Sequence, residues 1–142
     1  MTATSKKIKV FLIEDNDDER QFIKEGFQAS GLYEIVAEAS SGNEVDKIFK
    51  TPGGNFPELV IADLNMPGRN GYEVILDIKT NSVASHIPVI ILSGAPVKPF
   101  AERCKSLGAC AYFTKPDTFL DYNRFAEEIY TTVLRECIKS SY

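Results

Sequence analysis

The 142-residue sequence lacks the features that mark membrane, secreted and nucleic-acid-binding proteins. No apolar run approaches the roughly 18 residues that a membrane span requires, and the polar start, residues 1–7, has no signal-peptide core. The 16 basic residues are outnumbered by 20 acidic ones, so no basic stripe indicates a nucleic-acid surface. These absences predict a cytoplasmic protein that binds neither membranes nor nucleic acid.

Cysteine and histidine are also scarce. The cysteines, three in number, lack the spacing of a metal site, and an odd number cannot pair completely within one chain. Free thiols in a reducing cytosol are therefore the simplest interpretation of Cys104, Cys110 and Cys137, with Cys110 as a small core residue. The one histidine, His86, precedes an apolar strand in a loop, which favours an ordinary surface position.

Apolar and helical patterns alternate along the rest of the chain. Hydrophobic residues make up 44% of it and charged residues 25%, which predicts one globular domain over residues 1–142 with its core at about 7–138. Strands are predicted at 7–13, 33–40, 58–64, 88–92 and 110–114, and helices at 17–30, 43–50, 71–80, 100–107 and 119–138. Five strands alternating with five helices are typical of an α/β fold with a doubly wound parallel sheet.

Apolar stripes on the first and last helices are predicted to face the core. In the first helix the stripe includes Phe22, Ile23 and Phe27. In the last helix it is formed by Phe125, Ile129 and Val133, and the flanking tyrosines, Tyr122 and Tyr130, leave room for a partner surface.

Polar side chains follow the strands at the point where each one ends. Glu14 and Asp15 follow the first strand, Asp63 ends the third, Ser93 follows the fourth, and Lys115 follows the fifth. Because the functional crevice of an open α/β sheet lies at the carboxyl ends of its strands, these residues are expected to form one site.

The chemistry of such a site favours phosphoryl transfer. Three clustered carboxylates require either raised pKa values or a divalent cation, and oxygen ligands without cysteine or histidine favour Mg²⁺. A lysine and a hydroxyl would hold the oxygens of a transferred phosphoryl group. Asp63 is the best nucleophile, because it ends a central strand and a loop at 65–68 gives access to it. The acidic residues at 17–19 are interpreted as first-turn residues favoured by the helix dipole.

Four motifs, in order, resemble the receiver domain of two-component response regulators. They are IEDN at 13–16, DLNMPGRNG at 63–71, a serine–glycine pair at 93–94 and AYFTKP at 111–116. The resemblance covers essentially the whole chain and implies a flavodoxin-like sheet of strand order 2-1-3-4-5. The segment at 51–55 has the character of a small insertion before the third strand.

The resemblance also implies roles for the site residues. Asp63 matches the phosphoacceptor, Asp15 and Asp63 match direct Mg²⁺ ligands, the backbone carbonyl of Asn65 matches a third ligand, and Glu14 matches an acid that acts through water. Ser93 matches the hydroxyl that moves towards the phosphoryl group.

The last motif supplies the remaining roles. Lys115 matches the lysine that pairs with the phosphoryl group, and Tyr112 matches the aromatic switch residue. The Lys115–Pro116 peptide bond is often cis in proteins of this kind. These residues imply a conformational switch that follows phosphorylation.

The resemblance predicts a single-domain response regulator rather than an enzyme acting on other molecules. It would accept a phosphoryl group on Asp63 from a histidine kinase or histidine phosphotransfer protein, with Mg²⁺ required, and catalyse only its own phosphorylation and dephosphorylation. Because the sequence ends soon after the fifth helix, no output domain is expected, so signalling would use protein contacts. The expected contact surface, for a downstream target or a homodimer, is formed by the fourth helix, fifth strand and fifth helix.

Three other functions fit the sequence less well. A phosphatase with an aspartyl nucleophile typically needs a second aspartate two residues later, where this chain has Asn65. A flavin-binding module needs a phosphate loop after the first strand, where the acidic run at 14–19 would repel phosphate. A degenerate receiver would have lost site residues, and all five are present here.

Overall fold

Five parallel strands form the centre of the structure, a computed structural model that describes residues 6–50, 56–66, 68–94 and 98–138. The strands are β1 Ile8–Ile13, β2 Tyr33–Ala39, β3 Leu59–Asp63, β4 Val89–Ser93 and β5 Ala111–Thr114. Their order is β2-β1-β3-β4-β5, which confirms the expected fold. Every residue of β3 and β4 is buried, because helices cover both faces of the sheet; this explains their continuous apolar runs.

The helices occupy the predicted places, with ends shifted by one or two residues in most cases. They are α1 Asp17–Ala29, α2 Val45–Lys50, α3 Gly71–Thr80, α4 Lys98–Ser106 and α5 Tyr122–Thr132. The predicted final helix is not uniform: a 3-10 turn, Phe119–Asp121, precedes α5, and a π-helical turn, Val133–Cys137, follows it. Within the described ranges, no helix combines the length and apolarity needed to cross a lipid bilayer.

The sheet separates two hydrophobic clusters. Successive residues of β1 alternate between them: Phe11 and Ile13 face the cluster formed with α2, α3 and α4, while Val10 and Leu12 face the one formed with α1 and α5. This arrangement is the doubly wound architecture. The predicted insertion at 51–55, and Pro67 in the predicted access loop, lie outside the described residues.

One prediction for α1 and one for α5 are wrong. Phe22 was expected in the core but is 37% exposed, whereas Tyr122, expected beside a partner surface, is 1% exposed. Tyr122 is buried because the two helices approach closely: a Cβ atom on Gly26 would lie 2.5 Å from the Cβ atom of Tyr122. Ile129 and Val133 are buried as predicted.

The prediction of three free thiols is wrong for two of the cysteines. Cys110 and Cys137 form a disulfide, with Cα atoms 5.5 Å apart, while Cys104 is free and buried. Cys110 lies just before β5 and Cys137 ends the π-helical turn, so the bond joins the sheet to the last helical segment. A sequence separation of 27 residues gives no sign of this proximity.

Removal of the disulfide is expected to destabilise the protein. A loop closed by a bond of this separation restricts the unfolded chain, so Cys137→Ser should lower the free energy of unfolding by about 2–4 kcal/mol in denaturant titrations without reductant. Thiol labelling of denatured, oxidised wild type should detect one reactive cysteine, Cys104. Three reactive cysteines before any reduction would contradict the pairing, and wild type with reductant serves as the control.

Candidate phosphoacceptor site

The carboxyl edge of the sheet brings together the five side chains that the sequence singles out. Glu14 and Asp15 follow β1, Asp63 ends β3, Ser93 ends β4, and Lys115 follows β5. These four strands are neighbours and run in parallel, so their ends meet at the same edge. Glu14, Asp63 and Ser93 are buried.

The three acidic residues lie close enough to share a cation. One carboxylate oxygen from each of Glu14, Asp15 and Asp63 lies within 4.8 Å of the others, and we call these residues the acid trio. Burial, followed by the charge of Asp63, raises the pKa of Glu14 to about 8. Burial also raises the pKa of Asp63. A cation between these carboxylates would stabilise their charged forms and so oppose both increases in pKa. A donor set made only of oxygen atoms fits Mg²⁺.

The loop after β3 packs tightly against the nucleophile candidate. The backbone N–H of Asn65 donates a hydrogen bond to the Asp63 carboxylate. A Cβ atom on Gly71 would lie 2.9 Å from the carbonyl oxygen of Asp63, so only glycine lets α3 begin so close to β3. Asn70 then caps α3 through a reciprocal pair of hydrogen bonds with Glu73. The metal-ligand role of the Asn65 carbonyl stays a prediction.

Lys115 is the cation of the site and contacts three carboxylates. Its Nζ atom lies 3.1 Å from an oxygen of Glu14, 3.4 Å from an oxygen of Asp63 and 2.5 Å from an oxygen of Glu19. Burial lowers the pKa of Lys115, but the hydrogen bond to Glu19 and the charges of Asp63 and Glu14 outweigh it and raise the pKa overall. The ammonium group therefore stays charged beside Asp63.

Glu19 is the site residue that the sequence interpretation missed. It does lie in the first turn of α1, and its backbone N–H donates to the capping side chain of Asn16. Its carboxylate, however, binds Lys115, and the hydroxyl of Tyr122 lies 3.5 Å from its second oxygen. A glutamate at the third helical position commonly points back towards the start of its helix. Because the start of α1 lies next to Glu14 and Asp15, this tendency was the signal in the sequence that could have placed Glu19 in the site.

The two predicted switch residues occupy neighbouring strands. Ser93 is fully buried, and its backbone carbonyl accepts a hydrogen bond of 2.9 Å from the backbone N–H of Lys115. Tyr112 is half-buried on β5 and packs against the cluster beneath α2, α3 and α4. Their switching roles stay predictions. The described residues contain no cis peptide bond, so the Lys115–Pro116 bond is trans here.

The sequence and fold are similar to those of proteins with response regulator receiver domains. The family model of the response regulator receiver domain matches residues 10–122. The transcriptional regulatory protein PdtaR of Mycobacterium tuberculosis is 32% identical over 80% of this chain and 52% of its own. The two-component response regulator ARR7 of Arabidopsis thaliana is 26% identical over 96% of this chain and 69% of its own. The chain thus spans from about half to two-thirds of these relatives.

A solved structure supports the same assignment. The crystal structure of the phosphorylated cyanobacterial phytochrome response regulator RcpA is 25% identical to the chain and superimposes with a TM-score of 0.77. The match covers 92% of this chain and 99% of that one. With the family match over most of its length, the chain belongs to the response regulator receiver domain family.

Proposed function

We propose that the protein is a response regulator that accepts a phosphoryl group on Asp63 from a histidine kinase or histidine phosphotransfer protein. Receiver domains in general are phosphorylated on aspartate, bind Mg²⁺ and act in signalling rather than as conventional enzymes. One observation carries the proposal for this chain: the buried carboxylate of Asp63 lies 3.4 Å from the ammonium of Lys115 and within the acid trio.

The transfer step follows from this geometry. A carboxylate oxygen of Asp63 attacks the phosphorus atom of the donor and forms an acyl phosphate. The bond from phosphorus to the donor breaks, and the departing group keeps the electron pair. This group is an imidazole when the donor is a phosphohistidine and acetate when the donor is acetyl phosphate. The departing imidazole takes a proton from solvent, whereas acetate needs none. Asp63 therefore supplies the only new bond to phosphorus.

Charge neutralisation is the main task of the remaining residues. Asp15 and Asp63, with the Asn65 carbonyl, would hold Mg²⁺ directly, and Glu14 would hold it through water; the ion supplies positive charge for the phosphoryl oxygens. Lys115 supplies a second positive charge beside Asp63. Because Glu14 and Asp63 are almost completely buried, these charges act where water screens them poorly.

Signal output in this proposal depends on a switch at Ser93 and Tyr112. An aspartyl phosphate adds nearly two negative charges and three acceptor oxygens. The Ser93 hydroxyl is drawn towards them, and the ring of Tyr112 turns inward into the space that it leaves. We include in the proposal a cytoplasmic protein whose α4–β5–α5 surface binds a downstream partner or a second copy. In the cytosol the Cys110–Cys137 disulfide is subject to reduction.

The switch is tested by amide hydrogen exchange with and without beryllofluoride, which mimics a phosphoryl group on Asp63. We expect altered exchange in α4, β5 and α5, because the movement of Ser93 and Tyr112 would change the contacts of these elements. The size of the change is limited by how much the contacts differ between the two states. Ser93→Ala should still accept a phosphoryl group but transmit less of this change, and Asp63→Asn should show none. Changes confined to the loop after Asp63 would contradict the proposed output surface.

A further inference from the structure

The shortest ionic contact of Lys115 is made outside the acid trio. Its Nζ atom lies 2.5 Å from Glu19, closer than to Glu14 at 3.1 Å or Asp63 at 3.4 Å. Glu19 belongs to α1 and is not among the residues whose oxygens cluster for a cation. The lysine thus has one carboxylate that it does not share with the proposed Mg²⁺ site.

The ammonium and a divalent cation compete for the same carboxylates. Both are attracted to Glu14 and Asp63, and they repel each other across the few ångströms of a poorly hydrated site. Without Glu19, the remaining ionic partners of Lys115 within the described residues would be those two acids. The lysine would then occupy the trio more fully and oppose cation binding.

We propose that Glu19 is a positioning residue that holds Lys115 aside from the acid trio, so that Mg²⁺ can bind there while the lysine stays beside Asp63. The inference rests on the proposed Mg²⁺-dependent function and deepens it. The ammonium has three N–H donors. It can keep its bond to Glu19 and still direct another donor towards a phosphoryl oxygen on Asp63.

The structure holds Glu19 firmly for this task. The cap on α1 fixes the turn that carries it, through a 2.8 Å bond from its N–H to Asn16. The next residue, Arg20, donates a side-chain hydrogen bond of 2.8 Å to the backbone carbonyl of Glu14, which ties α1 to the end of β1. On the other side Glu19 is approached by the hydroxyl of Tyr122, a residue that is 1% exposed.

The test is the Mg²⁺ affinity of the unphosphorylated protein, followed through amide chemical shifts in wild type, in Lys115→Met and in four further variants. Glu19→Gln keeps the shape of the side chain and removes its charge. Asp18→Asn is the matched control, because Asp18 is an exposed carboxylate in the same turn. Both substitutions are also made in a Lys115→Met background, which removes the competing ammonium.

We expect Glu19→Gln to weaken Mg²⁺ binding about five-fold in the presence of Lys115, as for coupled neighbouring residues, and Asp18→Asn to weaken it less than about two-fold. In the Lys115→Met background the two substitutions should have the same small effect, since only general charge remains. This loss of coupling is a result that a purely structural role of Glu19 would not produce.

Two results would overturn the inference alone. An equal fold-change for Glu19→Gln with and without Lys115 would show that Glu19 acts by general charge alone, and an unchanged affinity would show that it does not act at all. In both cases wild type still binds Mg²⁺, so the proposed function survives. Absence of Mg²⁺ binding to wild type, in contrast, would overturn both proposals.

Discussion

Asp63→Asn is expected to abolish phosphoryl labelling by acetyl phosphate and Mg²⁺. The amide is a much poorer nucleophile than a carboxylate, and Asp63 is the acid that ends the central strand beside Lys115. Intact-mass spectrometry should detect one added phosphoryl group on wild type and none on the variant. The difference should be complete rather than partial, because in the proposed reaction Asp63 forms the only new bond to phosphorus.

A matched control separates the acceptor from general loss of charge. Asp18→Asn makes the same chemical change at an exposed site, and we expect its labelling to equal that of wild type. Circular dichroism should give the same spectrum for all three proteins. Labelling of Asp63→Asn at the wild-type level would show that another side chain accepts the phosphoryl group.

The second large effect is expected for Asp15→Ala. Loss of a direct ligand should weaken Mg²⁺ binding by at least about ten-fold. Removal of a group that only supports a ligand already lowers the metal affinity of other sites by about this factor. Mg²⁺-dependent labelling should be lost with it. The fold should be retained, because Asp15 is partly exposed and its side chain fills no part of either hydrophobic cluster.

Thermal unfolding provides an independent measure of the same variant. The charge of Asp15 contributes to the raised pKa of Asp63, although burial is the larger cause. Without Mg²⁺, its removal should therefore leave the melting temperature unchanged or raise it. Added Mg²⁺ should raise the melting temperature of wild type, since it binds the folded state, but not that of Asp15→Ala. A normal Mg²⁺ response in this variant would contradict the role of the acid trio, and Asp18→Ala is the control.

The fold could be predicted from the sequence because its signals are local and repeated. The continuous apolar runs that became β3 and β4 are long enough for strands and too uniform for an exposed sheet. The gathering of Asp63, Ser93 and Lys115 followed from the fold, because parallel strands end at a common edge. The family resemblance then added the strand order, which the structure confirms.

Three of the errors concern contacts between segments distant in sequence. Burial of Tyr122 depends on the absence of a side chain at Gly26, on another helix. The Cys110–Cys137 bond depends on where the end of the last helical segment meets β5. The role of Glu19 depends on which of several nearby charges its carboxylate reaches, since it could equally have stabilised the start of α1. Helical periodicity alone does not contain this information.

The most direct test of the central claim is to locate the acyl phosphate on the wild-type protein. Borohydride reduces an aspartyl phosphate to homoserine, so the acceptor residue can be identified by peptide mass spectrometry after labelling with acetyl phosphate and Mg²⁺. We predict conversion at Asp63, dependent on Mg²⁺ and absent when chelator is added before the phosphodonor. Conversion at Glu14, Asp15 or any other acid, with Asp63 unmodified, would contradict the account.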